Sequence, residues 1–429
     1  MDVLNALRMS LGRAHLLAST MMREVRRAGL PAEDVVPLGS LRRWAPDIGD
    51  VSLLAIAPPA AHEEILEGFL KLPPVIAAVS RRSSSVEAMT ERGTVQLHVT
   101  APEDAGAALV WHTGARRHTD QLQARAARLG LVLRDGRLSR SNGALVPAPD
   151  EREVYRQLDL PFISPELREG GDEIAAAERG ELPALISMAD IRGDLHMHST
   201  WSDGRDSIQH MVLAAKQLGY EYVAITDHSE RAFASRKLLG LEIPLQREEI
   251  EALRARIGGI EILHGVEVDI MADGSLDFDD RQLEGFDIVL ASLHDDCGDD
   301  GARLTERYVR AMRHPMVNII THPANRSPAL SPGYDLDYDR LFETAVATGT
   351  ALEIDGAPGH LDMDGTIARR AVEAGVTLTI DSDCHRAEAL ERQMQFGIGT
   401  ARRGWVQASH VLNTRPVDAV RAFVARKRG

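Results

Sequence analysis

The chain has 429 residues, 44% of them hydrophobic and 4% aromatic, which suits two or three soluble domains with ample core. A formal net charge of -15 argues against bulk attraction to nucleic acid, though it leaves room for a local basic groove. Cys297 and Cys384 are the only cysteines, no signal segment opens the chain, and no apolar run reaches the ~18 residues that span a membrane. A disulfide scaffold is therefore not expected, and a reducing cytoplasm is the expected location.

In residues 2–29, Leu4, Leu7, Leu11, Ala14, Ala18, Met21 and Val25 recur at steps of three and four, which predicts an amphipathic helix ending at Gly29. Residues 35–57 hold a turn, Gly39-Ser40-Leu41-Arg42-Arg43, followed by a strand over 50–57; residues 95–99 alternate as a short strand. Residues 105–133 read as a strand, a turn and a helix, so 1–140 is expected to form a small α+β unit. Pro147, Pro149, Pro161, Pro165 and Pro183 interrupt residues 141–190, which read as a connecting segment.

From 191 to 429 the pattern alternates strand and helix. Strands are predicted over 193–198, 221–227, 260–268, 287–293, 317–322, 350–355 and 377–382, with helices between them such as 207–218 and 366–374. Repeated βα units imply a parallel sheet, and seven of them in about 235 residues point to a closed α/β barrel.

Nine potential metal ligands fall at or near the ends of these strands: His196, His198, Asp203, His228, Glu267, His294, His322, Asp383 and His385. His196 and His198 stand at i and i+2, so both face one side of an extended segment. A barrel of this kind carries its chemistry at the C-terminal ends of its strands. Mixed imidazole and carboxylate donors suit Zn²⁺, Mn²⁺ or Fe²⁺ better than calcium. His264, an odd step before Glu267, is expected to face away, as is Cys384 between two candidate ligands; His210, His314 and His360 are set aside as structural.

Asp-Leu-His-Met-His-Ser-Thr-Trp-Ser-Asp-Gly, Ala-Ile-Thr-Asp-His-Ser, Gly-Val-Glu-Val-Asp-Ile, Thr-His-Pro and Ser-Asp-Cys-His resemble the motifs of the polymerase-and-histidinol-phosphatase (PHP) family. The resemblance implies a distorted (βα)₇ barrel with three divalent ions. His196, His198, Glu267 and Asp383 would hold one, Glu267 with His294 and His322 a second, and Asp203, His228 and His385 the third. The implied chemistry is hydrolysis of a phosphoric ester by metal-activated hydroxide, with Arg326 as a candidate phosphate clamp.

The front half resembles the palm and thumb of bacterial family X DNA polymerases. Leu-Gly-Ser-Leu-Arg-Arg is similar to their nucleotide-binding turn, which implies weak nucleotide or DNA contacts from Gly39, Ser40, Arg42 and Arg43, with Arg116 and Arg117 beside them. That family holds Mg²⁺ on three carboxylates, but the matching positions here are Asp50, Ser52 and Gln96. One carboxylate of three remains, so polymerase activity is expected to be lost. The family's N-terminal DNA-gripping segments are not seen in this sequence. The expected substrate is a DNA 3′ end, met by a 3′→5′ exonuclease or 3′-phosphatase. The alternatives are a small phosphomonoester or a role as a DNA-binding accessory protein. No membrane or protein partner is inferred.

Overall fold

A computed structural model describes residues 8–428 except 233, 295–297 and 299. The chain divides into two units, Met1–Pro183 and Ala184–Gly429. Leu4, Leu7 and Cys297 of the sequence reading lie outside the described residues.

In the first unit the opening helix runs Leu11–Arg27, later than the predicted start, because Met9 and Ser10 pair as a short strand with Ile48 and Asp47. Its buried stripe is Leu11, Ala14, Leu17, Ala18, Met21 and Val25. The Gly39–Arg42 turn is one turn of helix, which delivers the chain to the strand Val51–Ile56. That strand lies in a five-stranded sheet between Asp34–Pro37 (antiparallel) and Gly93–Thr100 (parallel), with Ser85–Thr90 and Val75–Arg81 completing it. The strand predicted after residue 105 is instead the helix Ala105–Thr113. Its apolar run is too short for periodicity to separate strand from buried helix.

The stretch read as a connection is folded for most of its length. Residues 151–179 contain the helices Glu151–Gln157 and Glu173–Arg179, and the division between units falls at Pro183. A buried ionic network explains why prolines do not loosen it: fully buried Arg168 bonds the Ile163 carbonyl and pairs with Glu151.

The second unit holds seven parallel strands in sequential order: β1 Gly193–Asp194, β2 Tyr222–Ile225, β3 Glu261–Asp269, β4 Ile288–Ser292, β5 Ile319–Ile320, β6 Ala351–Asp355 and β7 Leu378–Asp381. The ring closes just past β1 and β7, where Met197 bridges Cys384 and the His198 amide donates to the Cys384 carbonyl at 2.9 Å. Asn413 pins the same seam: its Nδ2 donates to the carbonyls of Gly193 and Ile380, and its Oδ1 accepts from the Ile380 amide. Inside, Leu195, Tyr222, Leu263, Ile288, Ile319 and Ala351 fill the lower barrel, and Phe423 and Val424 of the last helix, Val417–Arg428, pack under it. No helix among the described residues is long and apolar enough to cross a membrane.

Candidate metal centre

Period-two alternation carries each strand from this apolar floor to polar groups at the mouth. On β3 Leu263 lies in the floor and Glu267 stands four residues higher; on β4 Leu290 leads to Ser292 and His294. All nine candidate ligands converge there, with fully buried Glu267 as the hub. Its Oε2 lies 2.8 Å from His228 Nδ1 and 3.5 Å from His196 Nε2. Its Oε1 lies 3.0 Å from His322 Nε2 and 3.6 Å from His294 Nε2. Asp383 Oδ1 sits 3.1 Å from His198 Nε2 and 3.6 Å from His196 Nε2. Asp203 Oδ1 meets His385 Nε2 at 3.2 Å and His228 Nε2 at 3.5 Å.

Three sets of donor atoms lie close enough to hold an ion: His198, Asp203, His228 and His385; His196, His198 and Asp383; and His228, Glu267 and His294. His198 and His228 therefore stand where two sets meet. Close as they are, Glu267 Oε2, Asp203 Oδ1 and His228 Nδ1 lack hydrogen-bond geometry with one another or any neighbour, and His198 Nδ1 and His322 Nδ1 are likewise buried without a partner. Orphaned donors and acceptors facing one another at the mouth fit divalent cations.

The charges are strongly coupled. Burial alone would suppress ionised imidazole, yet Glu267 and Asp269 push His294 up to about 9, and Asp203 and Asp383 push His385 up to about 9. Burial and then the charges of His228 and His385 push His198 down to about 3. Against burial, the surrounding imidazoles hold Glu267 and Asp383 well below the usual carboxylate range.

Sequence reasoning missed the groups that orient the candidate ligands. Glu353 on β6 contacts His196 Nδ1 at 2.7 Å and accepts from the His322 amide at 2.9 Å. Asp269 lies 3.3 Å from His294 Nδ1. Carboxylates that hold the second nitrogen of a ligand imidazole fix its tautomer and direction. Their parity was the available signal: Ala351, Glu353 and Asp355 alternate inward, and a charge inside an apolar run needs a partner. Strain at the mouth had no such signal: His322 and Asp383 take left-handed φ values of 26° and 48°.

His264 faces outward, with Nε2 2.9 Å from Gln246 Oε1 and its ring against Phe286. Cys384 points away too, its thiol bonding the Arg386 carbonyl, and burial pushes it up to about 12. His360, set aside as structural, stacks on His322 with ring centroids 5.1 Å apart. Its backbone loop folds back over the mouth after β6, a return that spacing along the strand cannot show. Arg326 is buried; its Nη1 lies 3.3 Å from Asp364, and its Nε has no hydrogen-bond partner.

In the first unit, Ser52 and Gln96 pair in register on adjacent parallel strands, and Ser52 Oγ donates to Asp50 at 2.7 Å. Arg42 is bound bidentately by Glu151 at 2.8 and 2.6 Å, and Arg43 by Glu169 at 2.9 Å and the Thr113 carbonyl at 2.6 Å. Both guanidiniums are thus engaged inside the unit, whereas Arg116 and Arg117 are exposed.

Comparison with known proteins agrees with this architecture. The family described as PHP domain matches residues 194–322, and DNA polymerase beta thumb matches residues 108–169. "DNA polymerase/3'-5' exonuclease PolX" of Bacillus subtilis is 37% identical over 393 residues, covering 90% of this chain and 68% of its own. The chain belongs to the PHP phosphoesterase family, alongside PolX. Proteins of Syntrophotalea carbinolica and Thermoanaerobacter sp., each named "Probable phosphatase", share 31% and 30% identity over 46% and 55% of this chain and 81% and 95% of theirs. PHP domains are metal-dependent, and the clusters at the barrel mouth are of the kind that binds metal.

Proposed function

We infer that this PHP protein hydrolyses phosphoric esters at DNA 3′ ends, as a 3′→5′ exonuclease or a 3′-phosphatase. One observation carries the reading: the nine-residue donor set around Glu267 occurs in a chain whose similarity to PolX runs through both units. Three ions, Zn²⁺, Mn²⁺ or Fe²⁺, would be shared as the family resemblance implies, with Glu267 common to two. With divalent ions bound, such a site brings the pKa of water toward neutrality and offsets charge on phosphate oxygens.

The chain's own residues do the rest. Glu353 and Asp269 aim the Nε2 atoms of His196 and His294 toward Glu267. Arg326, four residues past His322, would take a phosphate oxygen in exchange for Asp364, and charge-assisted contacts of this kind favour Arg. Polymerase chemistry is absent in this reading, since neutral Ser52 and Gln96 cannot hold two Mg²⁺ ions beside Asp50.

A second reading, a phosphatase for a small phosphomonoester, draws on the internal pairing of Arg42 and Arg43 and on the barrel-length phosphatase relatives. A single experiment separates the two. The protein with Mn²⁺ is given 3′-labelled single-stranded and gapped DNA, and in parallel a panel of phosphomonoesters, with Asp383→Ala as control. Release of 3′ nucleotides or phosphate above the control is expected. Turnover of a monoester with untouched DNA would select the second reading.

A further inference from the structure

Beside the Asp203–His228–His385 edge of the metal centre lies an open groove of about 730 Å³, walled by Arg205, His210, Gln217 and Arg386 among others. Both arginines are fastened to candidate ligands. Arg205 follows Asp203 by two residues, and its amide donates to the His385 carbonyl at 2.8 Å. Arg386 directly follows His385. The turn that presents Arg205 is tightly seated, since a Cβ on Gly204 would lie 2.6 Å from the backbone of His198 and Ser199.

The Arg205 side chain is exposed and makes no hydrogen bond or ion pair among the described residues. Among the described residues Arg386 has one ionic partner, Glu388, at 3.7 Å, with the two side chains 45% and 79% exposed. An exposed pair at that distance is worth little and yields readily to a better anion. Asp206, the other acid in the groove, accepts from the Ala387 amide at 2.9 Å and so locks the two walls together. Two further cations, Arg236 and Lys237, stand next to Leu238, whose amide donates to the His228 carbonyl. Arg205, without a partner, and Arg386, weakly paired, are therefore the cations open to an anion in a groove whose acids are Asp206 and Glu388.

We propose that Arg205 and Arg386 grip successive backbone phosphates of a single strand whose end enters the metal centre, and so set its preference for an oligonucleotide over an isolated phosphomonoester. The proposal rests on the DNA reading above and adds the path of the chain. Guanidinium groups suit this role because phosphate contacts position a strand without reading its sequence.

The test compares wild type, Arg205→Ala/Arg386→Ala and Arg205→Lys/Arg386→Lys. Binding of a fluorescein-labelled oligothymidylate is followed by anisotropy across a salt series in metal-free buffer. Hydrolysis is followed with Mn²⁺ on the same oligonucleotide and on p-nitrophenyl phosphate. The double alanine variant is expected to bind roughly tenfold more weakly, with a log Kd against log salt slope shallower by about 1.4, and the lysine variant to keep most of the slope. Its kcat/KM on the oligonucleotide should fall roughly tenfold further than on p-nitrophenyl phosphate, through KM. Equal oligonucleotide binding by wild type and alanine variant, or equal losses on both substrates, would overturn the groove. Wild type that binds the oligonucleotide through these arginines but never cleaves it would overturn the DNA-hydrolysis reading instead.

Discussion

The Glu353 carboxylate holds His196 by its Nδ1 at 2.7 Å, and through its other oxygen accepts the backbone amide of His322 at 2.9 Å. One buried side chain on β6 thus sets both the ring direction of the first candidate ligand in the sequence and the strained backbone of the seventh. Replacing it by Gln keeps the shape but weakens the grip. Glu353→Gln is expected to lower metal affinity and phosphoesterase activity together, by roughly 10- to 100-fold. Metal content after dialysis against graded chelator, with activity in parallel, measures this; unchanged metal retention would show Glu353 to be only a packing residue.

Asp383 lies against both His196 and His198 at the seam between β7 and β1. Asp383→Asn should cost at least ~10²-fold in phosphoester hydrolysis by removing a negative donor from the cluster. The variant should stay folded but melt at a lower temperature in the metal-free protein, because the imidazoles that hold Asp383 well below the usual carboxylate range lose their buried counter-charge. A collapse of the fold instead would mean that Asp383 acts chiefly in barrel closure.

Metal loading should release protons. In the metal-free protein His294 and His385 are raised to about 9, so both are protonated at pH 7, whereas ligation needs neutral rings. The sign follows directly: protons compete with metal below those values, so affinity rises from pH 7 toward pH 9. Calorimetric titration of Mn²⁺ or Zn²⁺ in two buffers of different ionisation enthalpy should show uptake by the buffer of about two protons per loaded centre. Heats independent of the buffer would contradict the assignment of these two histidines.

The first unit carries its own ionic test. Glu151 is shared by Arg42 and the fully buried Arg168. Glu151→Gln strands a buried guanidinium and is expected to cost about 3–5 kcal/mol in urea unfolding of that unit. Burial opposes ionisation of Glu151, but the two arginines outweigh it and hold its pKa below the usual value. Its folded pKa is depressed, so its stabilisation is complete above the ordinary glutamate range and is lost as pH falls through the folded value. The variant should flatten the acid limb of the stability profile; an unaltered limb would place the acid sensitivity elsewhere.

Asn413 bridges the barrel seam. Asn413→Ala leaves the Gly193 and Ile380 carbonyls and the Ile380 amide without this partner, and about 2–3 kcal/mol of stability should go with them. Hydrogen exchange at Ile380 should quicken before that of β3 and β4.

The sequence by itself determined the barrel and which histidines and carboxylates gather at its mouth. Strand periodicity is local, and a ligand at the end of an apolar strand is committed to the mouth once the strand is in a parallel barrel, so His228, Glu267, His294, His322 and Asp383 could be named from spacing and motif. Local patterns also placed His264 outside, because its parity is opposite to that of Glu267. What they could not decide were relations between segments far apart in the chain. Glu353 meets His196 across 157 residues, His360 reaches His322 by a loop that folds back, and Glu151 reaches Arg42 across 109 residues. The last contact changes a family-like nucleotide-binding turn into an internally paired one, and the same buried network turns a proline-rich stretch into part of a folded unit. The physical reason is common to all three. Charge and ring contacts in a dry interior depend on distances in space, and tertiary folding alone sets those distances.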